Sequence, residues 1–188
     1  VGPVGAGLGF AGYIYPGSWK NNTEEYNGSS WTGGGNMTTS RGYLAGCGTQ
    51  TAGLVIGGDE APGLTGKTEE YNGSSWSEQS DMSVARSQLG AAGIQTSALG
   101  FGGYNSPSSP KFTTATEEYG GSSWTTGGVL GTARYRTAGC GTQTAGIGFA
   151  GYITDQTAST EQQQTRPNGW LSSPKMNFIA KTYQKVGL

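Results

Sequence analysis

Histidine is absent from the 188 residues. That removes the commonest general base and the commonest metal-ligating side chain, and with them His-based triads and His-liganded zinc. Two cysteines cannot build a four-thiolate site. Charge is scarce and balanced, with 11 Lys plus Arg against 12 Asp plus Glu. No basic footprint for nucleic acid or an anionic membrane surface follows from such a balance. No apolar run approaches the roughly 20 residues of a spanning helix, so membrane insertion is not expected. A Gly-Lys-Ser/Thr phosphate loop and a Ser-x-Asp-x-Gly-x-Thr-Trp box are both missing. The expectation is therefore a chain with no catalytic residues, no metal and no cofactor. It opens at Val1 with neither an initiator Met nor a charged segment before an apolar stretch, and reads as a processed chain, an excised domain or one part of a longer sequence.

What is abundant is glycine, at 36 residues. Spread throughout, it argues against helices, because each interior Gly costs about 1 kcal/mol against Ala. Disorder would be the usual alternative for so polar a composition. The aromatics argue otherwise, because they recur in register. Thr23-Glu24-Glu25-Tyr26-Asn27-Gly28-Ser29-Ser30-Trp31 returns as Thr68 to Trp76, and again as Thr116 to Trp124 with Gly120 for Asn. An eroded copy runs from Thr160 to Trp170, so the tryptophans fall 45, 48 and 46 residues apart. Six residues after each Trp comes Met37, Met82, Leu130 or Met176. Arg41, Arg86 and Arg134 follow four further on, with Lys181 near the fourth slot.

Each unit reads as four short strands. Strand a follows the Arg, strand b is the apolar run before a glycine pair, strand c is Thr-Glu-Glu-Tyr, and strand d holds Ser-Ser-Trp. Gly-Thr-Gln-Thr turns separate a from b. Asn-Gly between c and d predicts a two-residue hairpin turn, since both residues tolerate φ > 0. A four-stranded meander repeated at about 45 residues is the pattern of a β-propeller blade.

The order Trp, Met, Arg, Gly-Gly, Tyr, Trp resembles the kelch repeat over essentially the whole chain. The near-verbatim Thr-Glu-Glu-Tyr-Asn-Gly-Ser-Ser-Trp is also similar to kelch-like repeats of phage and environmental surface proteins. Departures from the pattern are Ala11 and Ala150 in the glycine pairs, and Gln162-Gln163 in the fourth strand c. Four units of about 47 residues fill the chain, cut inside a blade, so the expectation is an all-β, four-bladed β-propeller in one domain, 1–188. Its blades would be 1–32 plus 178–188, then 41–77, 86–125 and 134–171. A C-terminal strand a pairing with the N-terminal strand b would close the ring. The rivals are an arc of a larger ring, or a terminal strand passed to a neighbouring chain.

The repeat-register Trp, Tyr and Met positions are expected to fill the wedges between blades, each aromatic burying roughly 150–250 Å². Neighbouring glutamates in a strand point to opposite faces, so they do not converge as catalytic pairs. Structural ion pairs are expected among Glu25, Arg41, Glu70, Arg86, Glu118 and Arg134. Cys47 and Cys140 share one strand-a position two units apart, and would either line a channel as small thiols or bridge it as a disulfide.

In a meander, the a–b and c–d turns emerge on one face, the b–c and d–a loops on the other. The first face is nearly invariant here; the second carries the variation, with b–c loops at 14–22, 60–67, 105–115 and 153–159. Binding concentrates on variable loops of a rigid scaffold. Tyr15 and Trp19 lie in the first of these, and Trp19 alone among the tryptophans is off the repeat. Flanked by Asn21 and Asn22, they suit stacking on a sugar; the rival reading is that Trp19 covers the blade edge or the closure seam. The expected function is a non-catalytic, extracellular or virion-associated structural and recognition module, such as a tail-fibre or surface-fibril component. Its partners would be glycan, protein neighbours or copies of itself. The alternative is an intracellular kelch-type interaction domain excised from a larger protein.

Overall fold

The structure is a computed structural model describing residues 5–105 and 111–153, with the backbone of 160–162 and 171–172. No described residue is helical, and every strand pairing is antiparallel. The first sheet is a meander of β1 (Gly7–Ile14), β2 (Ser18–Tyr26) and β3 (Trp31–Gly33). The second runs through β4 (Ala45–Gly48) and β5 (Gly53–Ile56), is interrupted by the small hairpin β6 (Asp59–Glu60) and β7 (Gly63–Leu64), then resumes with β8 (Thr68–Tyr71) and β9 (Trp76–Gln79). The third is β10 (Gly90–Ile94), β11 (Ser97–Phe101), β12 (Thr116–Tyr119) and β13 (Trp124–Thr126). The fourth is β14 (Tyr135–Gly141), β15 (Gly146–Tyr152), β16 (Thr160–Gln162) and β17 (Leu171–Ser172). The segment 178–188, expected as the closing strand a, lies outside the described residues.

Successive sheets pack face to face, and glycine makes the approach close enough. Phe10 of β1 reaches over the second sheet, where a Cβ on Gly46 would meet its Cζ at 2.5 Å. Phe101 does the same to the fourth sheet, with a Cβ on Gly139 meeting its Cζ at 2.6 Å. The first interface is lined by Leu8, Met37, Val55, Tyr71 and Trp76. The next is lined by Leu54, Ile56, Met82, Leu89 and Tyr119. The inner strands β4, β10 and β14 lie side by side, β10 touching both others.

The glutamine of each a–b turn latches the preceding sheet. Gln50 Nε2 donates to the carbonyls of Tyr26 at 2.8 Å and Gly7 at 3.2 Å. Gln95 repeats this on Tyr71 and Gly53, and Gln143 on Tyr119 and Ala98. Backbone acceptors at the sheet's rim are thereby satisfied by the neighbour, as buried carbonyls require.

Two local expectations are corrected. The c–d turn spans four residues: Tyr26 pairs with Trp31 and Tyr71 with Trp76, leaving Asn-Gly-Ser-Ser between them. The Asn side chain organises it, Asn27 Oδ1 accepting from the backbone N–H of Ser29 and of Ser30, both at 3.0 Å. Side-chain capping of this kind competes with a two-residue turn. The first b–c segment is not a loop through 14–22. It is a hairpin whose arms run to Ile14 and from Ser18, with Gly17 N–H donating to the Ile14 carbonyl at 2.9 Å.

Candidate functional site

In Thr68-Glu69-Glu70-Tyr71 the alternation of side chains serves two neighbours. Thr68 and Glu70 face the third sheet: Thr68 Oγ1 accepts from Trp124 Nε1 at 2.9 Å, and Glu70 Oε1 accepts from the Tyr119 hydroxyl at 2.9 Å. Glu69 and Tyr71 face back toward the first. Tyr71 donates its hydroxyl to Glu25 Oε1, and Glu69 Oε2 accepts from Thr38 N–H at 2.7 Å. Burial, then the Glu25 carboxylate, push the Tyr71 phenol up to about 12.

The ion pairs of the second and third units therefore use the first glutamate of the pair. Arg41 Nη2 lies 3.1 Å from Glu69 Oε1, and Arg86 Nη2 lies 3.1 Å from Glu117 Oε1. Expected partners Glu25 and Glu70 instead take tyrosine hydroxyls of the following unit. The reason is directional: each Arg sits on the segment entering its sheet, against the preceding sheet, and only the first Glu looks that way. Arg41, Arg86 and Arg134 are all buried. Arg86 also donates to the carbonyls of Ala115 at 2.8 Å and Gly100 at 3.2 Å. Burial lowers it to about 10, with Glu117 opposing. Arg134 donates to the Ala150 carbonyl at 3.1 Å. These groups brace the scaffold, and they are too enclosed to act on a ligand.

Of the repeat-register aromatics, Tyr71, Tyr119 and Trp76 are buried, but Trp31, on the outer strand of the first sheet, is 53% exposed. Both cysteines are free thiols, Cys47 buried and Cys140 exposed. Cys47 packs among Ala45, Leu54 and Ile56, and burial pushes its thiol up to about 12. Among the described residues, no group of three or more His, Cys, Asp or Glu could hold a metal.

On the variable face the four expected contact residues separate. Tyr15, at the hairpin turn, is 86% exposed. Trp19 is half-buried in β2 between Tyr13, at 4.8 Å between ring centroids, and Tyr43, at 5.6 Å. It lies over Gly42, where any Cβ would meet Trp19 Cζ3 at 2.5 Å. Trp19 is thus a brace for the hairpin, not an exposed partner of Tyr15. Asn21 Nδ2 is engaged by the Met37 carbonyl at 2.8 Å, whereas Asn22 is exposed.

Beside this hairpin lies a cavity of about 490 Å³ lined by Tyr43, Leu44, Gln88, Leu89, Arg136 and Thr137. These are the same two positions, second and third after the buried Arg, taken from three successive units. Tyr43, Gln88 and Arg136 all carry left-handed backbone, with φ of 54°, 55° and 56°. For a residue with a Cβ that conformation costs about 1–2 kcal/mol, so three in register are held by their surroundings. The holding bonds are sequential: Gln88 N–H donates to the Tyr43 carbonyl at 2.7 Å, and Arg136 N–H to the Gln88 carbonyl at 2.6 Å. Sequence reasoning missed this set, because nothing at Tyr43, Gln88 or Arg136 signals a positive φ. A second aromatic group stands nearby, Phe112 stacked on Tyr135 at 4.5 Å and Tyr152 edge-on to Tyr135 at 5.3 Å.

The face thus offers an exposed tyrosine on a braced hairpin and an open cavity whose three corresponding side chains differ in chemistry. No protein-family model matches the chain, and no curated protein matches it.

Proposed function

We propose that the chain is a kelch-like β-propeller of four blades, acting as a non-catalytic recognition and structural module at a virion or other extracellular surface. In this reading the four units form one ring, closed by the C-terminal strand a beside the N-terminal strand b. The repeated latch of one sheet on the next supports the ring, because an interface built alike at each step favours a regular rotation. The recognition role rests on one observation. The Tyr13–Trp19–Tyr43 contacts brace a hairpin that presents Tyr15 almost wholly to solvent. An exposed aromatic held on a rigid support loses little entropy on contact, which favours its use as an anchor. A stacking contact of this kind contributes about 1 kcal/mol beyond area, so the site would act in a multivalent array on a particle or fibril.

A glycan array and a pull-down with wild type and Tyr15→Ala test the reading. Loss of the captured ligand in the variant is expected. Equal capture by both proteins rejects the hairpin as the anchor, and a footprint confined to the Gly-Thr-Gln-Thr turns rejects the choice of face. Trp19→Ala is the weaker variant, since it removes the brace as well.

A further inference from the structure

The geometry points to the cavity between Tyr43, Gln88 and Arg136 as a binding site for a carboxylate-bearing sugar, with Arg136 holding the carboxylate. Three observations converge. The backbone there is the same in three units, left-handed and chained by hydrogen bonds, while the side chains are an aromatic, an amide and a guanidinium. Backbone strain persists only where the surrounding structure over-determines it, so the three side chains are presented from one fixed frame. The second observation is the state of the cation. Arg136 is exposed, its Nε donates to Gln88 Oε1 at 2.8 Å, and its guanidinium carbon lies 5.5 Å from the Tyr135 ring centre. Nη1 and Nη2 have no hydrogen-bond partner among the described residues, which leaves the planar fork that carboxylates fit. The third is the lining. Gln88 Oε1 is spent on Arg136, so its Nε2 is left to donate to a hydroxyl. Tyr43, 53% exposed, offers a ring face, and Leu44 and Leu89 complete the wall.

The depression is wide open to solvent and, at about 490 Å³, large enough to seat one sugar ring against its floor. Its one half-exposed aromatic ring (packed edge-on to Trp19), one amide donor and one cation match a sugar ring with hydroxyls and one carboxylate. An acidic side chain of a peptide would use the cation alone. The site rests on the recognition reading and shares Tyr43 with the hairpin brace, but it uses neither Tyr15 nor the hairpin turn, so Tyr15→Ala and Arg136→Gln let each fail separately.

Calorimetric titration of the full chain at low ionic strength with D-glucuronate, D-glucose and N-acetyl-L-glutamate tests it. Glucuronate is expected to bind at least tenfold tighter than either of the others, and to weaken as salt is added. Arg136→Gln should remove the preference over glucose. Tyr43→Asn, which tolerates left-handed backbone, should weaken glucuronate several-fold. Thermal melts verify that both variants fold. Tyr15→Ala should leave glucuronate binding unchanged. Absence of glucuronate binding, equal binding of glucose, or an unaltered preference in Arg136→Gln overturns the site. N-acetyl-L-glutamate binding as tightly overturns the sugar assignment. Capture lost in Tyr15→Ala alongside a silent titration would sink the cavity site and leave the recognition reading standing.

Discussion

Trp76 Nε1 donates to Thr23 Oγ1 at 2.8 Å, joining residues 53 apart in sequence and one sheet apart in space. Trp124 and Thr68 repeat the bond at 2.9 Å in the next pair of sheets. Both partners come from the repeated Thr-Glu-Glu-Tyr…Trp segment, so one sequence element supplies the acceptor forward and the donor backward. This reciprocity explains why the segment is kept nearly verbatim while the b–c loops differ.

Thr23→Val keeps the shape but strands a buried indole N–H, at an expected cost of about 1–3 kcal/mol. Trp76→Phe in that background should cost less than it does alone. Urea unfolding of the two single variants and the double variant measures the coupling, expected near 1 kcal/mol. Additive costs would show that the bond contributes nothing beyond packing.

Arg86→Met should be more damaging. It leaves the buried Glu117 carboxylate facing only Ser83, whose N–H and hydroxyl each lie 2.8 Å away. Stranding one charge of a buried pair costs about 3–5 kcal/mol. Adding Glu117→Gln should recover part of that loss. Lys111→Ala, at an exposed position, should change stability by less than about 0.5 kcal/mol. Coincident denaturation midpoints for Arg86→Met and Lys111→Ala would contradict the burial of the pair.

The two thiols should separate chemically. A thiol reagent at neutral pH is expected to label Cys140 in the folded chain, and Cys47 only in denaturant, because a buried thiol held up to about 12 supplies almost no thiolate. The same displacement has a stability consequence. Unfolded, Cys47 loses its proton near 9, but folded it keeps it to about 12. Between those values the unfolded state binds fewer protons, so stability falls as pH rises through that window and is unaffected below it. Comparison of wild type with Cys47→Ala isolates this contribution. Identical slopes between pH 9 and 12 would rule it out.

Some features were open to sequence reasoning because they are periodic. Repeat length, the meander of strands and the divergence of the paired glutamates all follow from spacing and from the two-residue period of a strand. Core assignments for Tyr71, Tyr119, Met37 and Met82 follow from their recurrence. Other features depend on which neighbour a face meets. Glu69, not Glu70, pairs with Arg because the entering segment runs along the preceding sheet, a fact of stacking order that no local pattern carries. Being off register, Trp19 leaves contact and covering both open in the sequence, and the structure gives it the covering role. Its partner is the missing side chain of Gly42, and such a vacancy has no signature in the sequence.

The amino-acid sequence by itself determined the repeated strands and their antiparallel order, since these depend on alternation and repeat period, but not the four-residue c–d turn or the strands of the first b–c hairpin, which side-chain capping and packing against Gly42 set. Only the tertiary structure decided the cavity of Tyr43, Gln88 and Arg136. Each is an ordinary residue in isolation. The bonds from Gln88 to Tyr43 and from Arg136 to Gln88, formed once three sheets stand side by side, hold all three in a backbone conformation that none would adopt alone.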